Sequence, residues 1–140
     1  MSSLYTPEQA NKALPLVRRI VEDVVRAHLR WRDVVQELEL LASGVRADQP
    51  DARATALERE ALDLARELDA FERELSALGI TLKDRQMGLI DFPGEREGRR
   101  VWLCWRLGES AVQYWHDLEA GFAGRRPLQP EPAVADRHNH

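Results

Sequence analysis

Gly88-Leu-Ile-Asp-Phe-Pro-Gly94-Glu-Arg-Glu-Gly98-Arg-Arg-Val-Trp-Leu-Cys-Trp-Arg106 decides the fold class of this chain. Its two flanks, 88–93 and 100–106, are short, rich in β-branched and aromatic residues, and separated by a glycine-bounded polar connection, which is the pattern of a β-hairpin. Pro93 lacks a backbone N–H and is expected to mark the end of its strand. Side chains alternate across a strand, so Trp102, Cys104 and Arg106 share one face and Val101, Leu103 and Trp105 the other. Bulky residues on both faces of a thin sheet call for cover on both sides, and contact with a second copy is the simple way to supply it.

Working outward, the same strand signals continue for a short distance. Val112-Gln-Tyr-Trp-His116 reads as a further strand after a turn at Gly108-Glu-Ser110, and Ile80-Thr-Leu-Lys83 as a weak one. Gly121-Phe-Ala-Gly124-Arg-Arg126 follows as a glycine-bounded turn. The β-rich unit therefore covers 80–126. From 129 to 140 the chain is proline-rich and polar, and disorder is expected there. His138 and His140 belong to that tail and receive no role.

Upstream the period changes from two to the three-four rhythm of helices. Leu14, Val17, Val21, Val24, His28, Trp31, Val35, Leu38 and Ala42 alternate steps of three and four, as do Ala54, Leu57, Ala61, Leu64, Leu68, Phe71, Leu75 and Leu78. Thr6, Pro7 and Gln9 carry the signature of a helix start, with Thr6 and Gln9 as a reciprocal capping pair. The first helix is predicted over 6–42, with Pro15 expected to kink it or split off a leading turn. The second is predicted over 51–78, with Asp48 or Asp51 as its cap. The connection between them is short, so the helices should pair antiparallel. Arg59, Arg66 and Arg73, with Glu60, Glu67 and Glu74, recur every seven residues and mark a solvated face. His28, a polar group in the seam, is expected to fix register.

Composition narrows the functional classes. A chain of 140 residues suits one domain, taken here as 1–128. Its net charge of −4 argues against nucleic-acid binding, which needs a basic surface. One cysteine forms no internal disulfide, so a reducing, cytoplasmic setting is the default. The first residues lack the basic and apolar regions of a signal peptide, and no apolar run is long enough for a membrane span.

Taken together, Tyr5-Thr6, Glu8 to Asn11, Leu14-Pro15, Gly79 to Asp84, Gly88 to Pro93, Leu103 to Trp105, Gly108-Glu109, Tyr114 to His116 and Gly121 to Arg125 form a recognisable series. By these motifs the chain resembles the bacterial family catalogued as domain of unknown function 2203, from its start to about Leu128. The resemblance implies a compact one-domain protein. It implies no activity and no catalytic residues.

The chemistry-bearing residues concentrate in the last third of the domain. Asp91, Glu109, His116 and Asp117 are candidate ligands for a divalent metal, since imidazole with carboxylates suits a first-row ion. Arg125, beside Gly121 and Gly124, is a candidate for a small anion, because an arginine fork and glycine backbone donors suit a phosphate or carboxylate. Trp105 and Tyr114 are candidate ligand-stacking residues. Cys104 could pair with His116 as a nucleophile, but no nucleophile turn surrounds it, and mid-strand cysteines behave as small buried hydrophobes.

These readings converge on an α+β protein: a long antiparallel helical hairpin with a small antiparallel β-rich C-terminal unit. The leading functional expectation is an oligomeric interaction or assembly module, a homodimer. The alternative is a protein binding a small anion or a divalent metal, with enzyme activity undecided, through Asp91, Glu109, His116 and Arg125.

Overall fold

Thr6 and Gln9 cap each other as their spacing predicts: the Gln9 N–H donates to Thr6 Oγ1 at 3.1 Å, and the Thr6 N–H to Gln9 Oε1 at 3.0 Å. They open helix α1, Pro7–Gly44, in a computed structural model that describes residues 4–44 and 51–129. The expected tail from 130 onward, and Asp48, lie outside the described residues. Pro15 does not divide α1. The helix runs on through it, with only the hydrogen bond to the carbonyl four residues earlier lost.

Helix α2, Ala52–Ala77, starts at Asp51, whose carboxylate accepts from the N–H groups of Arg53 and Ala54 at 2.9 and 3.2 Å. The helices form an antiparallel hairpin. Arg30 meets Glu60 at 2.7 Å and Glu37 meets Arg53 at 2.8 Å, so seven residues up α1 match seven residues down α2. The buried seam of α1 drifts from the strict heptad. Ala27 and Val34 are buried, whereas His28, Trp31, Val35 and Leu38 are half-buried. A straight helix turns about 20° per heptad relative to a 3.5-residue repeat, which moves the seam in this way. His28 is therefore beside the seam, stacked on Trp31 at 6.2 Å, rather than in it.

Five strands follow: β1 Thr81–Asp84, β2 Leu89–Arg96, β3 Arg99–Arg106, β4 Tyr114–Asp117 and β5 Arg126–Pro127. They lie in chain order as one antiparallel sheet. Glu97 and Gly98, at φ 52° and 78°, make the two-residue turn between β2 and β3, tighter than the connection expected from Gly94 to Gly98. Pro93 does not end β2. The last partner of β1 is Asp91, so the free edge beyond it tolerates a proline, and the Pro93 carbonyl accepts the Tyr5 N–H at 2.7 Å. Tyr5 also donates its hydroxyl to the Leu78 carbonyl at 2.6 Å, tying the chain's start to the end of α2.

One face of the sheet packs on the open end of the hairpin. Ile90, Phe92, Val101, Leu103, Trp105 and Trp115 share a buried cluster with Ala10, Leu14, Val17, Val21 and Leu75. Gly88 permits this approach: at φ 67°, a Cβ there would meet Leu107 Cβ at 2.8 Å and Val21 Cγ1 at 2.9 Å. Among the described residues no helix is long and apolar enough to cross a membrane.

Candidate functional site

Inner-face burial leaves the alternate residues on the sheet face turned away from the helices. Cross-strand partners there are Asp91 with Cys104, Cys104 with Tyr114, and Trp102 with His116. Three of these are polar or ionisable and almost wholly buried: Asp91 is 1% exposed, Cys104 0% and His116 2%. Trp102 stands beside them, half-buried, with the Lys83 ammonium 5.7 Å above its ring.

Asp91 and His116 belong to strands that are not neighbours. The imidazole crosses β3 to bring Nε2 within 3.0 Å of Asp91 Oδ1. Its other nitrogen, Nδ1, lies 2.9 Å from the Asp117 carbonyl. A carbonyl only accepts, so Nδ1 carries a proton and donates it. In the neutral ring Nε2 then presents a lone pair to a carboxylate, and the contact is attractive only with a cation or a proton between them.

Burial raises the Asp91 carboxyl above its ordinary pKa, against the opposing influence of His116 and Lys83. Asp91 Oδ2 is buried with no hydrogen-bond partner among the described residues. The Cys104 thiol lies beside the carboxylate and, with His116 and Lys83, opposes the rise of the carboxyl pKa. Burial, and then the Asp91 charge, push that thiol up to about 12. One donor atom from each of Asp91, Cys104 and His116 lies within 4.8 Å of the other two. Cys104 is thus the member of the cluster that its mid-strand position disguised. Its pairing with Asp91 across the hairpin is the signal that finds it.

The remaining candidates have other partners. Glu109 is held by Arg125 through two hydrogen bonds of 2.7 and 2.9 Å and accepts the Arg106 N–H at 2.8 Å. Burial alone would raise the Glu109 carboxyl, but the Arg125 hydrogen bonds and the Arg106 N–H overcome it and leave it lowered. Arg125 spends its charge on Glu109, donates to the Cys104 carbonyl at 3.4 Å and stacks on Tyr114 at 3.9 Å. Among the described residues Arg125 thus pairs with Glu109 and Tyr114 stacks on it, while Arg125 Nε is buried without a hydrogen-bond partner. Trp105 faces the helices, fully buried, and its Nε1 donates to the Glu109 carbonyl at 3.0 Å, so it offers no face to a ligand. The Asp117 carboxylate, on the opposite face from His116, pairs with Arg99 at 3.3 Å, and only its carbonyl serves the cluster. The four-residue grouping of Asp91, Glu109, His116 and Arg125 thus divides into a buried Asp91–His116 pair and a separate Glu109–Arg125 pair.

No curated protein and no solved structure matches the chain. The family described as Uncharacterized conserved protein (DUF2203) matches residues 3–128, nearly the whole chain, and the chain belongs to that family.

Proposed function

We propose that this protein binds a divalent transition metal at the buried Asp91–His116 pair. One observation carries the reading: His116 Nε2 and Asp91 Oδ1 face each other at 3.0 Å in a fully buried place, and among the described residues the second carboxylate oxygen has no hydrogen-bond partner. Buried charge of this kind is ordinarily neutralised by a partner or a metal. The Nδ1–H bond to the Asp117 carbonyl supports the reading further, because metal-binding histidines are oriented by such a bond on the other nitrogen. The test is elemental analysis of untagged protein after incubation with Zn²⁺ or Co²⁺ and desalting. Retention of roughly one ion per chain is expected, lost in both Asp91→Ala and His116→Ala. A folded wild-type chain that retains none overturns the reading.

A second reading concerns assembly: the distal hairpin joins a second copy. The two-helix stretch beyond the sheet supports it, with Trp31, Val35 and Leu38 half-buried and Leu29 and Leu40 exposed by 45% and 68%. Two such hairpins packed together make a four-helix layer. The Trp105 face of the sheet needs no second copy, because α1 covers it within the chain. Light scattering should show a dimer at micromolar concentration that Leu40→Glu dissociates; a wild-type monomer throughout would sink this reading. A cytoplasmic, reducing setting, which keeps Cys104 as a thiol, fits both readings.

A further inference from the structure

The geometry points to Cys104 Sγ as a third ligand, which makes the centre selective for a thiophilic dication of the zinc class over Mg²⁺, Ca²⁺ or Mn²⁺. The inference rests on the metal reading above and goes beyond it in naming the ligand set and the class of ion.

Register is the first ground. Asp91 and Cys104 are direct partners across β2 and β3, so their side chains rise from the same face, and His116 reaches over β3 to the same place. Their donor atoms already lie within 4.8 Å of one another. Ligands of a tetrahedral zinc-class ion, at 2.0–2.3 Å from it, are roughly 3.3–3.8 Å apart. His116 Nε2 and Asp91 Oδ1 are already about that close at 3.0 Å, and the widest separation has to close by about 1–1.5 Å, within reach of side-chain rotation.

Charge is the second. A thiolate and a carboxylate together cancel a dication, and a neutral imidazole adds none, so the completed centre has no net charge. That matters here because all three side chains are buried, and a net charge in such a place is costly. Bound by Asp91 and His116 alone, the same ion would leave one uncompensated positive charge. Asp91 Oδ2, without a hydrogen-bond partner among the described residues, leaves the carboxylate coordinating capacity to spare.

Donor chemistry is the third. Mg²⁺ and Ca²⁺ take six or more oxygen ligands, and this cluster supplies one carboxylate. Imidazole with thiolate suits zinc, cobalt and copper. On binding, the Cys104 S–H bond breaks, the sulfur electron pair forms the bond to the metal, and the proton leaves to solvent, so the step involves no oxidation or reduction.

The experiment is cobalt substitution of the full, untagged chain. With Cys104 as ligand, Co²⁺ produces a near-ultraviolet sulfur-to-cobalt charge-transfer band with the strong visible bands of a tetrahedral ion. Cys104→Ser should abolish the charge-transfer band and weaken Zn²⁺ binding more than about tenfold, the lower end of what even outer-shell losses cost. Excess Mg²⁺ should displace nothing. Cobalt bound through His116 without a charge-transfer band, or Cys104→Ser binding zinc as tightly as wild type, would overturn the thiolate assignment and leave the metal reading standing. No bound metal at all would overturn both. Should Cys104→Ser fail to fold, the wild-type spectrum alone decides.

Discussion

His116 reaches across β3 and sets its Nε2 3.0 Å from Asp91 Oδ1, joining two strands that share no hydrogen bond. The contact depends on three things at once: the β2–β3 register, the β3–β4 register, and the Asp117 carbonyl that orients the ring. It gives the outer face of the sheet a buried polar centre, where sheets of this size commonly show solvent.

Asp91→Asn should stabilise the metal-free protein while abolishing its response to metal. An asparagine N–H can donate to the His116 lone pair, and no buried charge remains. A gain of about 1 kcal/mol is expected, the scale of one hydrogen bond made without a desolvated charge. Urea unfolding with and without a chelator measures both effects. A marked loss of stability in chelator would show that Asp91 holds the fold rather than serving the centre.

Glu109→Gln should cost about 1–3 kcal/mol at neutral pH, because it leaves Arg125 partly buried without its counter-charge. The pH dependence has a definite sign. The Glu109 carboxyl is lowered in the folded protein, so its stabilisation is present above the ordinary glutamate range and is lost as pH falls through the folded value. Wild type and variant should therefore differ near neutrality and converge under acid conditions. Denaturant midpoints at a series of pH values check this, and a difference that grows as pH falls would contradict it.

Leu68→Ala tests the hairpin. Leu68 is fully buried with Val24 and Ala27, and Trp31, Leu64 and Phe71 pack around them. Truncation removes apolar burial and leaves a cavity that two helices fill poorly, at a cost of about 2–5 kcal/mol. Calorimetry reads the loss directly. A cost below about 1 kcal/mol, the scale of a well-tolerated swap, would mean the helices are not held by this seam.

The helical hairpin and the strand class were legible in the sequence, because the spacing of apolar residues records the local backbone period. Three-four steps from Leu14 and from Ala54 specify helices. The Thr6–Gln9 box specifies a start. Gly98 marks the tight turn of the central hairpin. These signals are local, and tertiary contact does not alter them. The seam of α1 was less legible beyond Val24, since a strict heptad and a straight helix diverge with length, and burial chose Ala27 and Val34 over His28 and Val35.

What only the tertiary structure decided is which polar groups meet. Asp91, Glu109, His116, Asp117 and Arg125 stand close together in the sequence. A strand, however, sends successive side chains to opposite faces, so His116 joins Asp91 while the Asp117 carboxylate turns to Arg99. Glu109 and Arg125 found one another across the turns that flank β4, and Cys104 entered the cluster through its partner on β2. Strand register is set by the fit of the whole inner face against α1, a sum over many distant contacts. The composition of a segment determines its strands and helices by itself, but the meeting of Asp91, Cys104 and His116 depends on that sum.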